Sequence, residues 1–198
     1  MDREDWNRRY EGRELLWTAE ANRFVVAEIS GLQPGVALDL GCGEGRNAVW
    51  LAEQGWLVTA VDFSHVALDK ARRLADQRGV TVEWVQADLL EFEPGAGAFD
   101  LVLVAYVQLP TVERRRVLGR ATAALASGGT LLVVGHDLTN LTEGHGGPQD
   151  PSVLYTPEDI VAELGSLQVV RAERVRRPVT TEAGEVEAID TLVRAVRP

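Results

Sequence analysis

The sequence predicts an α/β fold, a doubly wound and mostly parallel sheet with helices on both faces. Three observations carry the prediction. From Val36 onward short apolar runs alternate with amphipathic segments, the rhythm of parallel strands joined by crossover helices. Cap and turn residues punctuate nearly every boundary between them. Two alternating runs, 167–176 and 186–195, then close the chain and predict a terminal antiparallel hairpin, separated by 178–184.

Element by element, the N-terminal segment differs from the rest. Trp6, Tyr10, Trp17 and Phe24 are scattered among charges, and a helix can begin near Asp2 or Asp5. Two compatible readings apply to residues 1–30: an amphipathic helix docking its aromatic side on the sheet, or a lid over a ligand at the strand ends. Residues 36–40, 57–61, 81–86, 99–104 and 130–134 predict five strands. Between them 46–54, 65–77 and 111–125 carry apolar residues at helical spacing, as Val66, Leu68, Ala71, Leu74 and Ala75 show. Ser64 and Thr111 are expected N-caps, Gly79 ends a helix, and 127–129 turn the chain into the fifth strand. Residues 139–151, with Gly144, Gly146 and Gly147, form a long aperiodic connection of the kind that often carries function. Thr156-Pro157-Glu158 is a capping-type helix start.

Length and composition narrow the class. The 198 residues suit one domain, expected to span 1–198 with a cofactor-binding core at 36–135 and a helix plus hairpin at 152–198. The 45% hydrophobic and 25% charged residues exclude wholesale disorder, and the apolar runs are too short to span a membrane. The charged start lacks a secretory apolar stretch, so a cytoplasmic protein without a membrane partner is expected, as a monomer or homodimer. A net charge of −10 disfavours nucleic acid. The single cysteine, Cys42, rules out an internal disulfide and cysteine-rich metal sites.

The strongest local signal is the run from Asp39 through Gly41, Cys42, Gly43 and Gly45 to Arg46, between the first strand and the first crossover helix. Gly41 and Gly43 let the backbone turn sharply and approach a ligand, and the helix start beyond them offers unpaired N–H groups. Asp62 ends the second strand 21 residues after Gly41, where a carboxylate can accept both hydroxyls of a ribose. That role alone would leave the unliganded fold's stability little changed by Asp62→Ala. The two features leave a dinucleotide or another adenosine ligand open. The G-x-G-x-G spacing lacks the third glycine position of the dinucleotide fingerprint and so disfavours a pyrophosphate. Asp88, after the third strand, is either a turn cap or a partner for an adenine amino group, with Leu89 against the ring.

Asp39 to Gly45, Asp62, Asp88, the strand beginning at Phe99-Asp100 and the Ser127-Gly128-Gly129 approach to the fifth strand resemble the ordered motifs of class I S-adenosylmethionine-dependent methyltransferases. Within them, Trp6-Asn7-Arg8-Arg9-Tyr10, Gly45-Arg46-Asn47 and Leu51-Ala52 are similar to the small tellurite-resistance and thiopurine-methyltransferase-like branch. The resemblance implies a seven-stranded sheet in the order 3-2-1-4-5-7-6 with the last strand antiparallel, and S-adenosyl-L-methionine as cofactor. It places methionine over Gly41–Gly43 and near Ala105, ribose on Asp62, and adenine between Phe63 and Leu89 with Asp88 at its edge. Asp39 braces the loop, directly or through water. Arg46, a cation in the first turn of a helix, opposes the macrodipole and meets either the methionine carboxylate or Glu44. Cys42 packs beneath the ligand.

Methyl transfer from a sulfonium is an in-line displacement, so positioning and water exclusion dominate and a general base is optional. Tyr106, after the fourth strand, and His136, after the fifth, face the expected methyl position. His136 reads as a base, a substrate hydrogen-bond donor or a strand-end histidine satisfied by backbone. Its spacing to Asp137 and His145 matches no tight metal motif, and no metal is expected. The segment 105–110 lacks the Asn-Pro-Pro-Tyr or Asp-Pro-Pro-Tyr run of adenine-type enzymes. Trp6, Tyr10 and Trp17 can wall an apolar substrate pocket, whereas Trp50, Trp56 and Trp84 read as core or sheet-edge aromatics. The expected acceptor is a small thiol or chalcogen oxyanion. A degenerate binding protein and a nicotinamide-dependent oxidoreductase are the alternatives.

Overall fold

The computed structural model describes residues 2–12, 14–181 and 184–198. In chain order the elements are α1 (Arg3–Glu11), α2 (Arg23–Ile29), β1 (Val36–Leu40), α3 (Arg46–Glu53), β2 (Leu57–Asp62), α4 (His65–Arg78), β3 (Glu83–Gln86), β4 (Phe99–Ala105), α5 (Thr111–Ala124), β5 (Leu125–His136), α6 (Asn140–Glu143), α7 (Pro157–Glu163), β6 (Gln168–Thr181) and β7 (Gly184–Val196). One seven-stranded sheet runs β3-β2-β1-β4-β5-β7-β6. Strands β1 to β5 are parallel, and β7 lies antiparallel between β5 and β6.

Central strands of such a sheet are buried on both faces and read as continuous apolar runs. In β4 Leu101 to Val104 are buried without interruption, and alternate residues go to opposite layers. Leu38, Val102, Val104, Leu131 and Val133 pack with Val117, Leu118 and Ala121 of α5 and Ile160 of α7. Ala37, Leu101, Leu103, Leu132 and Val134 pack with Val25 and Ile29 of α2, Ala48 and Leu51 of α3 and Leu68 of α4. Trp56 belongs to this second layer, with Trp50 and Trp84 packed against it. Among the described residues no helix is long and apolar enough to cross a membrane.

The caps explain most boundaries. Asp2 caps α1 through a capping box with Asp5, Ser64 caps α4 through the Ala67 N–H, and Gly79 ends α4 at φ 68°. Thr156 and Asp159 form a second capping box at α7. Thr111 is not a cap: Pro110 holds that position in an extended conformation, and Thr111 is the first helical residue. Strand β3 begins two residues later than expected, at Glu83, where pairing with Thr59 starts.

Two connections read from the sequence are ladder instead. Leu125 already pairs with Phe99, and Gly128 and Gly129 exchange backbone hydrogen bonds with Arg197, so 127–129 lie within β5. In the hairpin, pairing continues through Pro178↔Glu187 to Thr181↔Gly184. Strand β6 is an edge strand, where a proline's missing N–H costs no ladder bond. Of the expected loop 178–184, only residues 182 and 183 lie outside the described residues. The connection 139–151 contains α6, whose Asn140 side chain donates to the Gly146 carbonyl and accepts from the Ile189 N–H, tying the glycines to β7.

Candidate active site

Strand order reverses between β1 and β4, and the crevice at their carboxyl ends is where open α/β sheets bind ligands. The glycine loop lines it. The Gly41 and Cys42 N–H groups both donate to the Val61 carbonyl, at 2.8 and 3.0 Å, folding the loop back on β2. Gly41 has φ +75°, and a Cβ there would lie 2.5 Å from Val107 Cγ2; Gly43 has φ +55°, and a Cβ there would lie 3.0 Å from Tyr10 Oη. Side chains from beyond β4 and from α1 thus lie directly against these two glycines. Gly45, at φ +79°, serves packing, because a Cβ there would meet Ala71 and Trp84 at 2.7 Å. Cys42 is buried, its thiol pushed well up by burial and by Asp62, and it packs as expected of a small side chain.

Two carboxylates stand behind the loop. Asp62 accepts the Gly43 N–H at 2.8 Å through Oδ2 and the Ser64 N–H at 2.9 Å through Oδ1. Burial raises its pKa and these bonds oppose the rise. Asp62 therefore shapes the loop, and these two bonds point to a loss of unliganded stability on Asp62→Ala larger than the small change expected from the ribose role alone. Asp39 is 1% exposed and neither of its oxygens meets hydrogen-bond geometry with a partner among the described residues, although the Ala48 N–H and the Arg46 charge lie close enough to oppose the rise of its pKa. Burial, with the Asp62 charge second, lifts its pKa to about 7. Arg46, half-buried at the start of α3, makes no ion pair among the described residues; burial lowers its pKa, and Arg177, Asp39 and Glu44 lie within its field.

The remaining predicted contacts lie along the β2–β3 side. Phe63 follows β2 half-buried, its carbonyl accepting from the Gln86 side chain at 3.4 Å, and Leu89 Cδ1 comes within 3.7 Å of the position a Gly41 Cβ would take. Asp88 caps its own turn by accepting the Leu90 N–H at 2.9 Å through Oδ1, and its Oδ2 has no hydrogen bond among the described residues. Ala105 ends β4 half-buried beside the crevice.

Across the crevice, Tyr106 is the one non-glycine residue at positive φ among the described residues, at 57°. Strain of this kind persists where the surroundings over-determine it. Its N–H donates to the Val134 carbonyl at 2.7 Å, its phenol donates to Asp190 Oδ2 at 2.7 Å, and Asn22 Nδ2 donates to the phenol at 3.2 Å. Burial and Asp190 push its pKa up, so the phenol stays protonated. His136 lies edge-on to the ring, with centroids 5.0 Å apart. Asp190 also accepts from Arg177 Nε at 2.7 Å, and the Gln108 side chain links the His136 N–H to the Val153 carbonyl. Asp190 and Arg177 are functional candidates the sequence reading missed. The signal was present: Asp190 interrupts the apolar run of β7 and is fully buried. Asp137 instead serves structure, accepting from Thr139, Thr191 and Arg174, and no metal-holding cluster occurs among the described residues.

The N-terminal segment closes over the glycine loop. Ser64 Oγ donates to Asn7 at 2.7 Å, and the buried Lys70 donates to the Tyr10 carbonyl and to Glu44 at 3.1 Å. Glu44 accepts the Leu16 and Trp17 N–H groups. Trp6 stacks on Tyr10 at 5.5 Å and Arg9 lies over both Trp6 and Trp17. The three aromatics do come together, with Tyr10 5% exposed over Gly43 and Trp17 45% exposed. Tyr10 thus covers the glycine loop, a place different from the wall of an apolar pocket.

This donor set fits S-adenosylmethionine. The orphaned Asp39 carboxylate suits a cationic ammonium or sulfonium, Arg46 suits a carboxylate, and the loop at Gly41 and Gly43 presents bare backbone beneath Val107 and Tyr10. Residues 37–129 match the family described as methyltransferase domain. The chain is 34% identical over 125 residues to the demethylmenaquinone methyltransferase of Thermus thermophilus, covering 62% of itself and 55% of that protein. It thus spans about half the length of that relative. Among solved structures, the N-methyltransferase NodS from Bradyrhizobium japonicum in complex with S-adenosylhomocysteine superposes with TM-score 0.72 and 23% identity, over 99% of this chain and 98% of that one. TehB from Haemophilus influenzae superposes with TM-score 0.75 and 16% identity, over 90% of this chain and 63% of that one. The matched residues carry both the glycine loop and Asp62, and the sheet order β3-β2-β1-β4-β5-β7-β6 is the fold this chain shares with those methyltransferase structures.

Proposed function

We propose that the protein transfers the methyl group of S-adenosylmethionine to a small-molecule nucleophile, a thiol or a chalcogen oxyanion, by in-line displacement. The observation that carries the reading is the orphaned Asp39 carboxylate beside Gly41 and Gly43. A buried charge without a partner is costly and persists in sites that bind an opposite charge. The sulfonium of the cofactor supplies an electrophilic methyl group. Asp39 balances the positive charge of the methionine part, Arg46 its carboxylate, Asp62 accepts from ribose, and Phe63, Leu89 and Asp88 hold adenine. Ala105 and Tyr106 border the methyl position, while Tyr10, Trp6 and Trp17 act as the lid of residues 1–30 and exclude water.

The latch of Lys70 and Glu44 on the N-terminal segment supports a small acceptor, because the segment covers the glycine loop. The −10 charge gives no support to a polyanion. Methyl-labelled cofactor offered with small thiols, tellurite, demethylmenaquinone, RNA and a protein extract tests the reading. Label on a thiol or on tellurite is expected; label confined to RNA, protein or the quinone would overturn the acceptor class.

A further inference from the structure

We propose that Asp190 holds His136 as the proton acceptor of the reaction, so that the methyl acceptor is a neutral nucleophile carrying its own proton, a thiol or hydroxyl, rather than an oxyanion. The inference rests on the methyl-transfer reading above. His136 Nδ1 and Asp190 Oδ1 are both buried, have no hydrogen-bond partner, and lie 3.3 Å from each other. The other carboxylate oxygen is fixed by Tyr106 and Arg177, so Oδ1 is the atom left to face the ring. Gly147, at φ +75°, allows the backbone against the other side: a Cβ there would sit 2.9 Å from His136 Nδ1. The ring is therefore confined between Tyr106, Gly147 and Asp190. Its Nε2 has no partner among the described residues.

A carboxylate oxygen 3.3 Å from Nδ1, out of line for a hydrogen bond as the ring stands, favours the tautomer with the proton there and leaves the Nε2 lone pair free to accept one. The acceptor's S–H or O–H then gives its proton to Nε2 as its lone pair forms the bond to the methyl carbon. The sulfonium's carbon–sulfur bond breaks with its electrons going to sulfur, and the imidazolium later releases the proton to water. Tyr106, which keeps its proton and donates to Asp190, cannot be that base. Among the described residues, the charged and titratable groups around His136 include Asp190 on β7, Arg177 on β6, Tyr106 after β4, Tyr155 against Gly135 and, beyond Tyr106, Arg46 on α3. Asp190 is a positioning residue in this scheme. An oxyanion would have no proton for the imidazole to take.

Two readouts test it. In ¹⁵N–¹H spectra of the histidine rings, neutral His136 should carry its proton on Nδ1 in the wild type and on Nε2 in Asp190→Asn. Kinetics would compare 2-mercaptoethanol, protonated at neutral pH, with the already ionised 4-nitrothiophenol and with tellurite. His136→Gln should lower kcat with 2-mercaptoethanol about 10²- to 10⁴-fold, and with 4-nitrothiophenol by less than about 5-fold. Asp190→Asn should lower kcat more than it raises KM. S-adenosylhomocysteine titrated into every variant reports the fold and the cofactor site separately. Wild type that fails to bind it defeats the underlying reading. Bound cofactor with an Nε2–H tautomer in wild type, equal losses on both thiols, or methylation of tellurite alone or of none of the three overturns the proposal.

Discussion

Asp39→Asn separates folding from function at a single atom. Asp39 is buried with both oxygens unpaired, and its carboxyl is lifted from 3.8 to about 7. Because the folded state favours the protonated form, wild-type stability is full below the unfolded value near 3.8 and is lost as pH rises through about 7. A shift from 3.8 to about 7 corresponds to a cost on the order of 2 kcal/mol near pH 5 and about 4 kcal/mol near pH 8. Asparagine keeps the shape and the unpaired polar atoms but never ionises. Its advantage over wild type should therefore grow by about 2–3 kcal/mol between those conditions, or roughly 5–10 °C in melting temperature for a chain of this size. Differential scanning calorimetry of the unliganded proteins at both pH values reads this directly. The same substitution should weaken S-adenosylmethionine binding at pH 8, and only the wild type should gain affinity as pH rises through about 7. A variant equally stabilised at both pH values, or destabilised at pH 8, would refute the buried-charge argument.

Other perturbations test the neighbouring parts. Asp62→Ala removes the acceptor of the Gly43 and Ser64 N–H groups, so it should both destabilise the unliganded protein by about 1–3 kcal/mol and weaken cofactor binding about 10- to 100-fold; an unchanged chemical-denaturation midpoint would argue against the loop role. Gly45→Ala puts a Cβ 2.7 Å from Ala71 and Trp84 at φ +79°, and should cost on the order of 1–3 kcal/mol with any remaining folded protein binding cofactor normally. A larger loss of affinity than of stability would move Gly45 into the ligand site. Lys70→Met removes the buried contact to Glu44 and to the Tyr10 carbonyl, and hydrogen exchange at Leu16 and Trp17 should accelerate at least about 10-fold; unchanged protection there would sink the latch. Bound S-adenosylhomocysteine should slow exchange over residues 5–17 further, and removal of the residues before Arg23 should reduce turnover more than fold stability.

The core of the fold was legible because parallel strands write their burial into sequence as short apolar runs, and because Ser64, Gly79 and Thr156 announce their helices. The misread boundaries share a cause: pairing partners distant in sequence. Gly128 and Gly129 look like a turn until Arg197 comes alongside, and Pro178 looks like a breaker until its strand is found at the sheet edge. Within the site, Gly41, Gly43, Asp39 and Asp62 could be found because one βαβ unit carries them at fixed spacing. Asp190 and Arg177 could not be joined to Tyr106 and His136 by any spacing, since the hairpin brings them from 71 residues or more beyond Tyr106. The N-terminal segment was open between a docked helix and a lid. Its ties through Asn7, Lys70 and Glu44 depend on single polar side chains that no periodicity exposes.

The most direct measurement is isothermal titration of the full chain with S-adenosylmethionine, S-adenosylhomocysteine and NAD, repeated on Asp62→Ala. Saturable binding of the first two at one site per chain, with the variant about 10- to 100-fold weaker and no heat from NAD, is the predicted result. Binding of NAD alone, or of none of the three by a folded chain, would contradict the assignment of the glycine crevice to S-adenosylmethionine.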